Sequence, residues 1–156
     1  MTFTQAIEIE DAYRAMCELS ILLATKAATQ AGLSPPERAI NDIMWLDIQV
    51  NANGFDGWLY NTSSERIVRT FDALSSVGSS RVAEIVIGAL VVVRLDPRCT
   101  SDRAREALLN SLSDEQRERL SKLDSDYYDA AEGSMAKCRE FVVLRRAEFC
   151  VNETVT

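Results

Sequence analysis

The chain has 156 residues, 47% of them hydrophobic, and a formal net charge of −7. That length fits one domain with a core of its own, and the apolar content excludes a disordered chain. The acidic balance repels nucleic acid and anionic membrane at long range, so direct contact with either is set aside, and it attracts basic proteins.

The longest apolar run, residues 85–93, is far shorter than the roughly 20 residues a membrane span needs. Residues 1–11 carry acids where a secretory leader has basic residues and then an apolar stretch, so the expected location is the cytoplasm. The chain has no His. This removes Ser-His-Asp and Cys-His nucleophile systems and imidazole acid/base chemistry. Cys17, Cys99, Cys138 and Cys150 lack the spacing of a zinc clamp or a redox dithiol. Free thiols, no metal and no cofactor are expected. Cys138 falls on an apolar helical stripe, whereas Cys99 and Cys150 fall near helix ends and should be more exposed.

In chain order, Ile9, Ala12, Met16, Leu19 and Leu23 repeat at helical spacing, predicting a first helix over residues 5–30 that Gly32 ends. Ser34, Pro35 and Glu37 form a capping box with proline in the first turn. Ile40, Ile43, Met44 and Ile48 give the second helix its buried face. A polar break at residues 51–54 is followed by a short aromatic piece, and Thr62 and Glu65 have capping-box spacing for the next helix. Ile67, Val68, Phe71 and Leu74 form that helix's stripe, and Gly78 closes it. Ser79 or Ser80 opens the following helix, in which Val82, Ile85, Val86, Ala89, Leu90 and Val93 keep one phase until Pro97 forces a stop. Ser101 and Asp102 open a short helix to about Asn110. Ser113 and Gln116 box the next, which carries Leu120 and Leu123. A last helix places Tyr128, Ala131, Met135, Cys138 and Val142 on one face. The predicted fold is all-α: a single compact domain of about six to eight helices over residues 1–150, with a frayed tail at 151–156. A Gly/Asn/aromatic turn separates the second helix from the middle helices.

That turn is the most distinctive stretch. Asn51, Asn53, Gly54, Phe55, Trp58, Tyr60 and Asn61 fall within a dozen residues. Asn and Gly supply left-handed backbone and local side-chain bonds, and the aromatics bury much area over few residues. Two readings follow: a tight inter-helix turn pinned by Phe55 and Trp58, or a pocket built from Asn51, Trp58, Tyr60 and Asn61. Asp47 and Asp56 are the carboxylates nearest the turn, but spacing identifies no second catalytic group, so a non-enzymatic protein is expected.

Here the sequence resembles the DNA mimic protein 19-like family, a bacterial domain otherwise of unknown function. The family hallmark is a Glu-x-Asn-Asn-Gly-Gly-Phe-like turn, followed by aromatics and Asn-Ser. Residues 49–63 match it, residues 73–78 match the helix end that follows, and Leu120, Leu123, Asp124, Tyr127 and Tyr128 match a downstream element. The resemblance covers roughly residues 35–142. Gln49 stands where the family has Glu, Ala52 replaces an Asn, and Asn53 replaces the first Gly while remaining able to take a positive φ. The resemblance implies an all-helical homodimer. For the family's namesake it implies a DNA mimic, whose carboxylates occupy the basic face of a DNA-binding regulator.

Such a role needs carboxylates at phosphate-like spacing. Asp126, Asp129 and Glu132 form one row at three-residue steps, Asp114 and Glu118 a second, and Glu8, Asp11 and Glu18 a third on the first helix. Helix dipoles offer a plainer account of Asp114, Asp126 and Asp129 as first-turn acids, and Glu115–Arg119 and Glu118–Lys122 have ion-pair spacing. The expectation is an acidic protein-binding domain with a basic partner, possible DNA mimicry among its roles. The alternative is a small-molecule, peptide or toxin-neutralising site in the cleft of the 51–63 loop.

Overall fold

A computed structural model describes residues 1–29 and 32–149. Cys150 and the tail at 151–156 lie outside the described residues. Among those described, all regular structure is helical: α1 (Phe3–Ile7), α2 (Ala12–Ala27), α3 (Pro35–Asn61), α4 (Ser64–Val77), α5 (Ser80–Val93), α6 (Asp102–Asn110) and α7 (Asp114–Leu144), then a 3₁₀ turn (Arg146–Glu148). The all-α prediction holds.

Side-chain caps set most of the helix starts. Ser34 with Glu37 and Ser113 with Gln116 close the expected capping boxes, and Ser101 accepts from the Ala104 N–H. Two other starts differ from expectation. Asp11 accepts from the Arg14 N–H and begins α2, so the predicted first helix is two helices with a break at residues 8–11. Apolar spacing runs across that break, which hid it. Ser63, not Thr62, caps α4, because the Thr62 hydroxyl is spent on Trp45 Nε1 at 3.0 Å.

The largest difference is α7. Two predicted helices are one of 31 residues. Buried Leu120, Tyr127, Ala131, Ser134, Cys138 and Val142 keep one phase throughout. That phase puts Tyr127 in the core and leaves Tyr128, predicted there, 49% exposed. Ile48 is likewise exposed, and Leu46, Asp47 and Val50 take the inner face of α3.

Helices α3 and α7 form the centre. α7 packs against α2, α3 and α5, and α3 packs against α2, α4 and α7. Their seam buries Phe55, Trp58 and Tyr127, with Phe55 edge-on to both neighbours.

Two helices end in the same left-handed turn. At the end of α4, Gly78 has φ 75° and Ser79 N–H reaches back to Leu74 O at 2.9 Å. At the end of α5 the residue in that position is Arg94, with φ 58°, and Leu95 N–H reaches Leu90 O at 3.0 Å. This turn ends α5, three residues before the proline expected to stop it. A side chain in that conformation costs about 1 kcal/mol that glycine avoids. Arg94→Gly should therefore raise stability by roughly 0.5 kcal/mol after glycine's larger unfolded-state entropy is deducted, and lift Tm by about 1–2 °C. A lowered Tm in a thermal melt would contradict this account of the turn.

Candidate functional site

The continuity of α7 changes the carboxylate rows. Asp114, Glu118, Asp126, Asp129 and Glu132 are all exposed on this one helix. Asp114 and Glu132 are five turns apart, about 27 Å along the axis, and Glu118 and Asp129 about three turns apart. The five therefore fall within an arc of about 120° on a single rod. Asp114 lies in the first turn, where the dipole favours it. Asp126, Asp129 and Glu132 lie mid-helix, so the first-turn account fails for them. The Glu118–Lys122 pair forms at 3.6 Å, but the Glu115–Arg119 pair does not. Among the described residues no ion pair engages Asp126, Asp129 or Glu132.

The N-terminal row is not brought together. Glu8 is the C-cap of α1, Asp11 spends its carboxylate on the N-cap of α2, and Glu18 is half-buried on α2. The connection that carries Glu8 and Asp11 is nevertheless tied to α7, because Arg139 donates to Ile7 O at 3.0 Å and Glu10 O at 3.3 Å.

The 51–63 segment is a kinked helix rather than an open loop. Helix α3 is broken at one residue, Gly54, with φ 67° and ψ −176°, a conformation essentially confined to glycine. Asn53, expected to accept a positive φ, does not take one. The kink frees the Phe55 N–H, and Asp124 of α7 accepts it at 2.8 Å. A Cβ at Gly54 would stand 2.5 Å from an Asp124 carboxylate oxygen, and one at Gly57 would stand 2.2 Å from Asn53 Cβ. Burial raises the Asp124 carboxyl above its ordinary range, opposed by the Phe55 N–H and assisted by Asp56.

The aromatics and amides of the segment divide. Phe55 and Trp58 are fully buried, which removes Trp58 from the expected pocket. Asn51 donates to Asp47 O at 2.8 Å and to the Tyr13 hydroxyl at 3.2 Å, bracing α3 against α2. Asn61 donates to Gln49 Oε1 at 3.0 Å, so the departure at position 49 still finds a partner. Asn53, Tyr60 and Asn61 line a cleft of about 320 Å³ with Asn110 and the ion pair Asp56–Arg117.

One turn earlier, Asp47 is buried and accepts from both Tyr13 (2.6 Å) and Tyr127 (2.8 Å). Sequence spacing missed this centre. A carboxylate in phase with the apolar residues of α3 and the tyrosine doublet at 127–128 were its only signals. Asp42, held by Arg66 and Arg69, and Glu37, held by Lys26, continue the series of buried α3 carboxylates.

The Gly54 turn and the Asp124–Tyr127 element, some 70 residues apart, thus meet in one junction. A family model described as DMP19-like protein matches residues 31–146. The chain belongs to the DMP19-like protein family. No curated protein and no solved structure matches it. The DMP19-like match begins after α2, so Tyr13 reaches the junction from outside the matched segment.

The junction carries a pH signature. Burial raises the Tyr13 and Tyr127 phenols above the ordinary tyrosine range, with Asp47 adding in the same direction. Burial pushes the Cys138 thiol up to about 12, again assisted by Asp47. All three are held neutral in the fold, and the unfolded chain gives up their protons first. The stability they contribute is complete below about pH 9 and is lost as pH rises toward the folded values. The urea midpoint should therefore fall steadily between about pH 9 and pH 12. A midpoint flat over that window would contradict the buried, neutral assignment.

Proposed function

We propose that the exposed carboxylate row of α7 is the docking surface for a basic protein, and that it does so as a DNA mimic, occupying the nucleic-acid face of a DNA-binding protein. The observation that carries this reading is the fusion of two acid rows onto one uninterrupted helix. Asp126, Asp129 and Glu132 advance about 4.5 Å per step, against 3.4 Å per phosphate along one DNA strand. Like charges at three-residue spacing weaken a helix by roughly 0.2–0.5 kcal/mol per pair, and neither a cap nor a cation offsets them here. Membership of the DMP19-like family and the net charge of −7 support the same partner chemistry.

The reading is of a non-catalytic protein acting as a homodimer in the cytoplasm. Among the described residues no helix is long and apolar enough to cross a membrane. Asp47, Asp56 and Asp124, the carboxylates around the kink, are committed to two tyrosines, to Arg117 and to the Phe55 N–H. The alternative seat, the cleft beside Tyr60 and Asn61, has lost Trp58 to the core, which favours the α7 row.

Immobilised protein incubated with a cell lysate at low salt should retain a basic DNA-binding protein, and added duplex DNA or high salt should release it. The triple variant Asp126→Asn, Asp129→Asn, Glu132→Gln should keep its helicity and lose most of that retention. Retention unchanged in the triple variant, or unaffected by duplex DNA, would overturn the proposal.

A further inference from the structure

The C-terminus of α5 and the first two turns of α7, which also carry Asp114 and Glu118, enclose a cleft of about 440 Å³. Arg94 and Arg119 line it with Val91, Ser113, Glu115 and Gln116. Arg94 and Arg119 are both exposed. Among the described residues neither guanidinium makes an ion pair or a hydrogen bond, although Glu115 sits one turn from Arg119 on the same helix. Arg94 also holds a left-handed position that glycine fills without strain, as Gly78 does at the end of α4. A strained side chain kept at the rim of a cleft points to a use for that side chain.

We infer that this cleft binds a small aliphatic monocarboxylate, with Arg94 and Arg119 on its carboxylate. The lining charges are two guanidinium cations against one carboxylate, Glu115, and a single negative charge balances them. A phosphate monoester, at nearly two negative charges, would leave an excess beside Glu115. The Ser113 hydroxyl accepts from the Gln116 N–H at 3.2 Å and keeps its hydrogen to donate. The Gln116 amide donates to Val92 O at 2.9 Å and accepts from Ser113 N–H at 3.0 Å, which fixes its orientation and leaves its second N–H to donate. Val91, 65% exposed, also lines the cleft and suits an aliphatic body. No residue of the acid row lines the site, which does not depend on the DNA-mimic reading.

The test is a titration of the full chain with butyrate, followed by amide chemical shifts. Saturable shifts are expected in residues 91–94 and 113–119. Arg94→Gly, which suits the positive φ and preserves the turn, and Arg119→Gln should each raise Kd by roughly tenfold or more, because each removes a charge-assisted contact. Butanol, with the same body and no charge, should give no saturable shifts, and inorganic phosphate should bind more weakly than butyrate. Absence of saturable butyrate shifts, equal affinity in both variants, or equal shifts with butanol would overturn the site. Tighter binding of phosphate would overturn the carboxylate assignment.

Discussion

The structure depends on an exchange of carboxylates between its two longest helices. Helix α3 offers Asp47 to the Tyr127 hydroxyl of α7, and α7 offers Asp124 to the Phe55 N–H of α3. Each bond occupies a group that would otherwise lie buried without a partner, and such an orphan costs about 1–3 kcal/mol. The second bond exists only because α3 breaks at Gly54. An unbroken helix would return the Phe55 N–H to the carbonyl one turn back. A β-carbon at Gly54 would occupy the space of the Asp124 carboxylate. The kink, the cap and the register of α7 against α3 are therefore one constraint.

This constraint gives α7 its two faces. With Asp124 and Tyr127 turned into the seam, the positions between and beyond them turn outward, and Asp126, Asp129 and Glu132 stand in solvent. The segment that identifies the family is thus a structural junction in this chain, and the surface proposed to meet a partner lies on the opposite side of the helix that the junction orients. A family can keep the first while the second changes its charge.

Much of this was legible in the sequence. The capping boxes at Ser34 and Ser113 and the left-handed stop at Gly78 appear where their residues predict, because each depends on three or four neighbours along the chain. The errors share an opposite cause. At residues 8–11 and around Ser125, apolar periodicity reports which face is buried but not whether the backbone is continuous. Apolar spacing puts Tyr128 on the buried face, whereas the partner that draws Tyr127 inward, Asp47, is 80 residues away in sequence. Arg94 in a left-handed turn carries no local signal at all. The candidate site was legible as a set of acids but not as a surface, since that required knowing that α7 does not stop.

The junction is tested most directly by a double-mutant cycle on urea stability with Gly54→Ala and Asp124→Ala. If the carboxylate occupies the space beside Gly54, part of the Gly54→Ala penalty is a clash that disappears once Asp124 is truncated. The two single effects should then exceed the double effect by about 1 kcal/mol. Additivity to within roughly 0.3 kcal/mol would show that the kink and the Asp124 cap are independent, and would contradict the account.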